Sequence, residues 1–181
     1  MARILGYIAA SLDGLIVSGE GSLDWLYKYD DMELGEHDYR RFIKRIRTVV
    51  MGRGTYDFIA SDPSPWAYAG QRVIVVTSRP LDNPKGSLEI CNDVDALIAR
   101  LRALDDGDVW MVGGGQLQMA FMERGALDEI EIYVIPEILG AGQPLFPLTG
   151  FRASPTLISA AAIDKGCVRL HYRMERPMDA G

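Results

Sequence analysis

The chain has 181 residues, 48% of them hydrophobic, which is enough for one globular domain, 1–181, with a sizeable core. Nineteen Lys and Arg against 25 Asp and Glu leave a formal charge of −6, which argues against nucleic-acid binding and obliges any anionic ligand to find a local pocket. No apolar run approaches a membrane span, the start MARILGYIAAS has a strand-like layout, and two isolated cysteines, Cys91 and Cys167, indicate neither a zinc site nor a disulfide framework. The expectation is a cytoplasmic chain without a metal.

Arg3 to Ser11 reads as a strand, apolar nearly throughout, as befits a central position with both faces covered. Asp13-Gly14 then marks a turn, and the Gly/Ser-rich stretch to Ser22 reads as a mobile loop that returns with Asp24, Trp25 and Leu26. Trp25 fits either a plug that anchors this loop or a surface for ligand stacking. From Glu36 to Ile46, Tyr39, Phe42, Ile43 and Ile46 follow helical spacing, with Asp38 at the border of the apolar stripe. That carboxylate is expected either at a pocket edge or solvated beside Arg41 or Arg45.

Thr48 to Met51 is a second buried strand and runs directly into GRGTYDFI, where Gly52, Arg53 and Thr55 open a short helix whose free amides favour an anion. The third strand, Arg72 to Val76, ends in Thr77, Ser78, Arg79 and Pro80, a set that can hold a phosphate or simply cap a turn. Leu88 to Cys91 is a short strand, after which Asn92 is expected to cap a helix that buries Val94, Leu97, Ile98, Leu101 and Leu104.

The stretch VWMVGGGQLQMAF, Val109 to Phe121, is a buried strand, a glycine turn and a helix. Glycines there allow close approach of a ligand to the main chain, and the amides of Gly114, Gly115 and Gln116 would favour a phosphate or pyrophosphate. A tight turn with no ligand is the alternative. A Rossmann site is disfavoured, because the glycines come late, Gln118 stands where the third glycine belongs and Asp128 precedes the following strand. In that strand Ile130, Ile132 and Val134 alternate with Glu129, Glu131 and Tyr133, indicating one wetter face. LGAGQPLFP is a turn-rich loop, and Leu157–Ile163 with Val168–Glu175 flank a hairpin turn at Asp164-Lys165-Gly166, with His171 expected on its outer face. The whole reads as α/β, strands separated by helices and then antiparallel strands at the end.

The ordered motifs AASLDGLI, GSLDWL, MGRGTY, VVTSRP, MVGGGQL and GxPLFP resemble the dihydrofolate reductase superfamily, and more closely the single-domain relatives of the reductase half of the riboflavin deaminase-reductase. The resemblance implies a three-layer fold with a mixed, mostly parallel central sheet flanked by helices and a C-terminal antiparallel hairpin. It also implies NADPH as cofactor and a homodimer. Matched positions would place Ala9 and Ile16 on the nicotinamide carboxamide, Trp25 at loop closure, Gly52, Arg53 and Thr55 on the phosphates, Thr77, Ser78 and Arg79 at the 2′-phosphate, and Gly113, Gly114, Gly115, Gln116 and Leu117 at the pyrophosphate turn.

On the substrate side the chain departs from both relatives. Gln71 stands where folate enzymes keep an arginine, their pterin-contacting threonine falls near Val134 or Ile135, and their acidic residue corresponds to Glu36 or Asp38, the two candidates for catalysis. Tyr7 and Gly113 replace a lysine and a glutamate of the riboflavin enzymes. The function implied is an NADPH-dependent reductase resembling 5-amino-6-(5-phosphoribosylamino)uracil reductase. A dihydrofolate-type or other imine or carbonyl reductase and a non-catalytic NADPH-binding protein are the alternatives.

Overall fold

A computed structural model describes residues 1–175. Its centre is an eight-stranded sheet in the order β5-β4-β3-β6-β1-β7-β10-β9. The strands are β1 (Ile4–Ser11), β3 (Ile46–Gly52), β4 (Arg72–Val76), β5 (Glu89–Cys91), β6 (Asp108–Gly113), β7 (Glu129–Ile135), β9 (Thr156–Ala162) and β10 (Val168–Arg173). β2 (Leu15–Ser18) and β8 (Gly142–Pro144) form a separate ribbon. All pairings from β5 across to β7 are parallel, whereas β10 runs antiparallel to both β7 and β9. The mixed sheet and its closing hairpin are thus as expected.

Helices cover both faces, as the nearly continuous apolar runs of the central parallel strands require. α4 (Val94–Arg102) and α5 (Gly115–Glu123) pack on one face, over a core that includes Leu97, Leu101, Met111, Phe121 and Ile130. On the other face α2 (Tyr39–Arg45) and α3 (Arg53–Ser61) enclose Leu5, Phe42, Val49, Met51, Tyr56 and Trp110. Each large apolar side chain buried in this way contributes roughly 1.5–3 kcal/mol. α1 (Asp24–Tyr27) is a single turn.

Four expectations are corrected by the tertiary structure. The stretch 36–46 is not one helix: Gly35–His37 is a 3-10 turn, Asp38 is extended, and α2 starts at Tyr39. Asp38 is its N-cap, accepting from Arg40 N at 2.7 Å, and Ile46 already belongs to β3. The cap of α4 is Asp93, whose Oδ1 accepts from Ala96 N at 2.9 Å, and not Asn92. Within the stretch expected to be loop after Asp13, Leu15–Ser18 form a strand that pairs with β8. Finally, the face of β7 that carries Glu129, Glu131 and Tyr133 is not open to water, and His171 is not on an outer face. Arg169 and His171 of β10 lie beside the two glutamates and pair with them, which makes enclosure of the charges affordable.

Candidate active site

The strand ends that were expected to bind anions meet at one place. Met51 of β3 is in register with Gly113 of β6, so Gly52 and Gly114, the caps of α3 and α5, sit side by side. A Cβ on Gly52 would lie 3.8 Å from Gly114 N, and one on Gly114 would lie 3.6 Å from Thr55 Oγ1. Neither helix has a side-chain cap, in contrast to α2 and α4, so their first amides are not satisfied by a local carboxylate. Two uncapped nine-residue helices opening on a glycine-lined junction fit the phosphates of a dinucleotide.

Around this junction the predicted residues take different parts. Gln116 is exposed at the start of α5, and Leu117 packs on the core. Gly115 is buried where a Cβ would meet Pro144 O at 2.7 Å and Leu145 O at 3.1 Å, so only glycine lets the 142–145 segment close over the helix. Ser78 and Arg79 are exposed at the end of β4. Thr77 is turned inward: its hydroxyl accepts from Arg79 N at 3.1 Å and shapes the turn. Arg53 is held by Asp57 at 2.7 Å and donates to Pro80 O at 3.0 Å, fastening this turn to α3. Its charge is therefore partly neutralised.

The loop motifs prove to be partners of one another. Asp13 accepts from Ser11 Oγ at 2.6 Å, Gly140 N at 2.8 Å and Leu139 N at 3.1 Å, and these bonds hold its carboxyl below the usual carboxylate range, the Ser11 hydroxyl foremost. Leu145 N donates to Gly14 O, and a Cβ on Gly142 would fall 1.9 Å from Val17 O, so the second motif can approach β2 only through a glycine there. Ile16, in β2, is buried. Trp25 packs with Ala9, Tyr133 and Ile135, which is the plug arrangement.

On the face covered by α2 lies a cavity of about 160 Å³ lined by Tyr7, Glu36, His37, Asp38, Arg41, Phe42, Arg45, Glu131 and Arg169. Both predicted carboxylates border it. Asp38 is occupied as the cap of α2, and the Glu36 side chain is 78% exposed. Sequence reasoning did not single out Glu131 or Arg169, which form the floor. Arg169 is buried, Nε donating to Glu131 Oε2 at 2.8 Å and Nη1 to Ser159 Oγ at 3.0 Å. The only signal for this pair in the sequence was charged residues at alternate strand positions. Tyr7 stacks on Phe42 with ring centroids 4.4 Å apart, and burial, reinforced by the neighbouring Tyr133 hydroxyl, pushes its ionisation well above the usual tyrosine range. Tyr133 itself donates to His37 O at 3.0 Å. Val134, one of two positions expected to contact a pterin, points instead into the core under α5, because alternation along β7 gives Tyr133 and Ile135 to the cavity face.

Comparison with known proteins agrees with this architecture. The family model described as the RibD C-terminal domain matches residues 4–169. The uncharacterised protein YwjB of Bacillus subtilis is 36% identical over 141 residues, covering 77% of this chain and 80% of its own. The riboflavin biosynthesis protein RibD of Mycobacterium tuberculosis is 30% identical over 146 residues, 73% of this chain but 41% of the longer protein. Among solved structures, a putative riboflavin biosynthesis protein from Shewanella sp. PV-4 superposes with a TM-score of 0.84 at 27% identity, covering 97% of this chain and all of that one. Dihydrofolate reductase from Enterococcus faecalis, solved with NADP(H), shares the fold at a TM-score of 0.64 and 19% identity, covering 96% of each chain. With a family model spanning both the glycine junction and the cavity, and a curated relative of this similarity, the chain belongs to the RibD C-terminal domain family.

Proposed function

We propose that this protein is an NADPH-dependent reductase that transfers hydride to a small heterocycle or ribosylamine, of the type reduced by 5-amino-6-(5-phosphoribosylamino)uracil reductase. The observation that carries this reading is the junction of two uncapped helix N-termini, α3 and α5, in a sheet whose α2 face also holds a cavity lined by Tyr7, Asp38 and Phe42. NADPH, when bound, supplies the hydride. The chain's part is to hold and orient. The amides that open α3 and α5 would take the phosphates, Ser78 and Arg79 the 2′-phosphate, and Ala9 and Ile16 the carboxamide. Tyr7 and Phe42 would give the substrate ring an apolar wall. Asp38 and Glu36 stand at the cavity edge as candidate proton donors.

Titration with NADPH, followed by its absorbance in the presence of dihydrofolate or of the deaminated riboflavin intermediate, tests the proposal. Tight NADPH binding with oxidation driven by the second compound is expected. Turnover of dihydrofolate instead would move the protein to the folate branch, and tight binding with silence toward every substrate would favour a non-catalytic dinucleotide-binding role.

A further inference from the structure

The cavity contains one carboxylate that is both enclosed and incompletely bonded. The Glu131 side chain is 12% exposed, and its Oε2 receives both contacts from Arg169. Its other oxygen, Oε1, has Arg45 Nη2 at 3.8 Å, beyond hydrogen-bond length. Glu131 stands on the central sheet, in register with Tyr7 of β1, so its position is fixed by backbone pairing on both sides. Asp38 and Glu36 do not combine the two: Asp38 is committed through Oδ1 to Arg40 N as a helix cap, and the Glu36 side chain, 78% exposed, reaches into solvent.

The charges around the cavity do not select a ligand by net sign. Glu36, Asp38 and Glu131 are balanced by Arg41, Arg45 and Arg169. Nor does the floor offer a strong cation, since Arg169 is engaged with Glu131, Ser159 and the His171 ring. What it offers is an acceptor, Oε1, on the strand position paired with Tyr7, in a cavity that Tyr7 and Phe42 also line. A charged acceptor that a ligand covers discriminates sharply in favour of a ligand that donates to it, because one that cannot strips it of water and leaves it unpaired.

We infer that Glu131, rather than Asp38 or Glu36, is the carboxylate that recognises the substrate, through Oε1 accepting N–H bonds from an amino-substituted planar heterocycle stacked beside Tyr7 and Phe42. The inference rests on reading this cavity as the substrate site. It assigns a residue on the sheet to specificity and leaves the proton donor among the groups at the rim.

The test compares two isosteric probes by calorimetry, 2,4-diaminopyrimidine and 2,4-dimethylpyrimidine, with NADPH titrated separately into each protein. The diamino compound should bind the unaltered protein and the dimethyl compound should not. Glu131→Gln should weaken the diamino compound by about ten- to a hundredfold. Glu131→Asp, which keeps a charge for Arg169 but withdraws the oxygen from the cavity, should also weaken it. Asp38→Asn, still a competent helix cap, and Glu36→Gln should weaken it far less than either Glu131 variant. Unchanged NADPH affinity and thermal unfolding in Glu131→Asp would show that the fold is retained. The inference is overturned if Asp38→Asn or Glu36→Gln carries the loss, if both Glu131 variants bind as before, or if the diamino compound binds no better than the dimethyl one. Glu131-dependent binding in a protein that fails to bind NADPH would sink the reductase proposal alone.

Discussion

Gly115 offers a direct test of how the glycine junction is built. Replacing it with alanine places a Cβ 2.7 Å from Pro144 O and 3.1 Å from Leu145 O, distances that only movement of backbone can relieve. The segment that must move is tied to Gly14 through Leu145 N and to β2 through β8, so the strain spreads through the ribbon. Overpacking of this kind costs about 1–3 kcal/mol. With a urea m-value of about 2 kcal/mol/M, the midpoint should fall by roughly 0.5–1.5 M. Gly54→Ala is the matched control: it lies in the first turn of α3 with nothing within 4 Å of its added Cβ, and should stabilise by roughly 0.5–1 kcal/mol, the helical preference for alanine. Urea unfolding of the two variants beside the parent, followed by fluorescence, reads both signs in one experiment. A Gly115→Ala protein as stable as the parent would show that the 142–145 segment is not closed on α5 as described, and the argument for that junction would fail with it.

Arg79→Ala should weaken NADPH by about tenfold or more while leaving NADH unchanged, since a charge-assisted bond to the 2′-phosphate is worth about 1.5–3 kcal/mol; equal losses for both cofactors would remove Arg79 from that role. Arg53→Ala should lower thermal stability as well as affinity, because its bonds to Asp57 and Pro80 are internal, and a purely binding effect would contradict the geometry. The Asp13 carboxyl is held below its ordinary value in the folded chain, so the unfolded chain binds that proton more tightly. Its contribution to stability is complete above the ordinary aspartate range and is lost as pH falls through the lowered value. The melting temperature difference between the parent and Asp13→Asn should therefore shrink on going from pH 6 to pH 3, and a constant difference would refute the linkage. We propose a homodimer that covers β9, an edge strand with Leu157 and Ile158 exposed. Light scattering should give twice the monomer mass, and Leu157→Lys should reduce it; a monomeric parent at micromolar concentration would end the proposal.

Much of this protein was determined within short windows of sequence. The junctions MGRGTY and VGGGQL specify strand, turn and helix from neighbouring residues alone, and the structure puts β3, α3, β6 and α5 there. The order of alternating elements, the final antiparallel hairpin and the central place of β1 were legible for the same reason: hydrophobic periodicity and turn chemistry act locally. What sequence could not decide were roles set by partners far along the chain. Asp38 stood at the border of a helical stripe until its bond to Arg40 N made it a cap, and Thr77, which could hold a phosphate or cap a turn, has its hydroxyl closed on Arg79 N in the turn. Glu131 and His171 looked like outward-facing members of amphipathic strands, because burying an isolated charge is costly. Only the antiparallel pairing of β7 with β10 brings Arg169 to Glu131 and His171 to Glu129, across 38 and 42 residues of chain. That pairing offsets the desolvation of those charges and turns a strand expected to face water into the floor of a cavity.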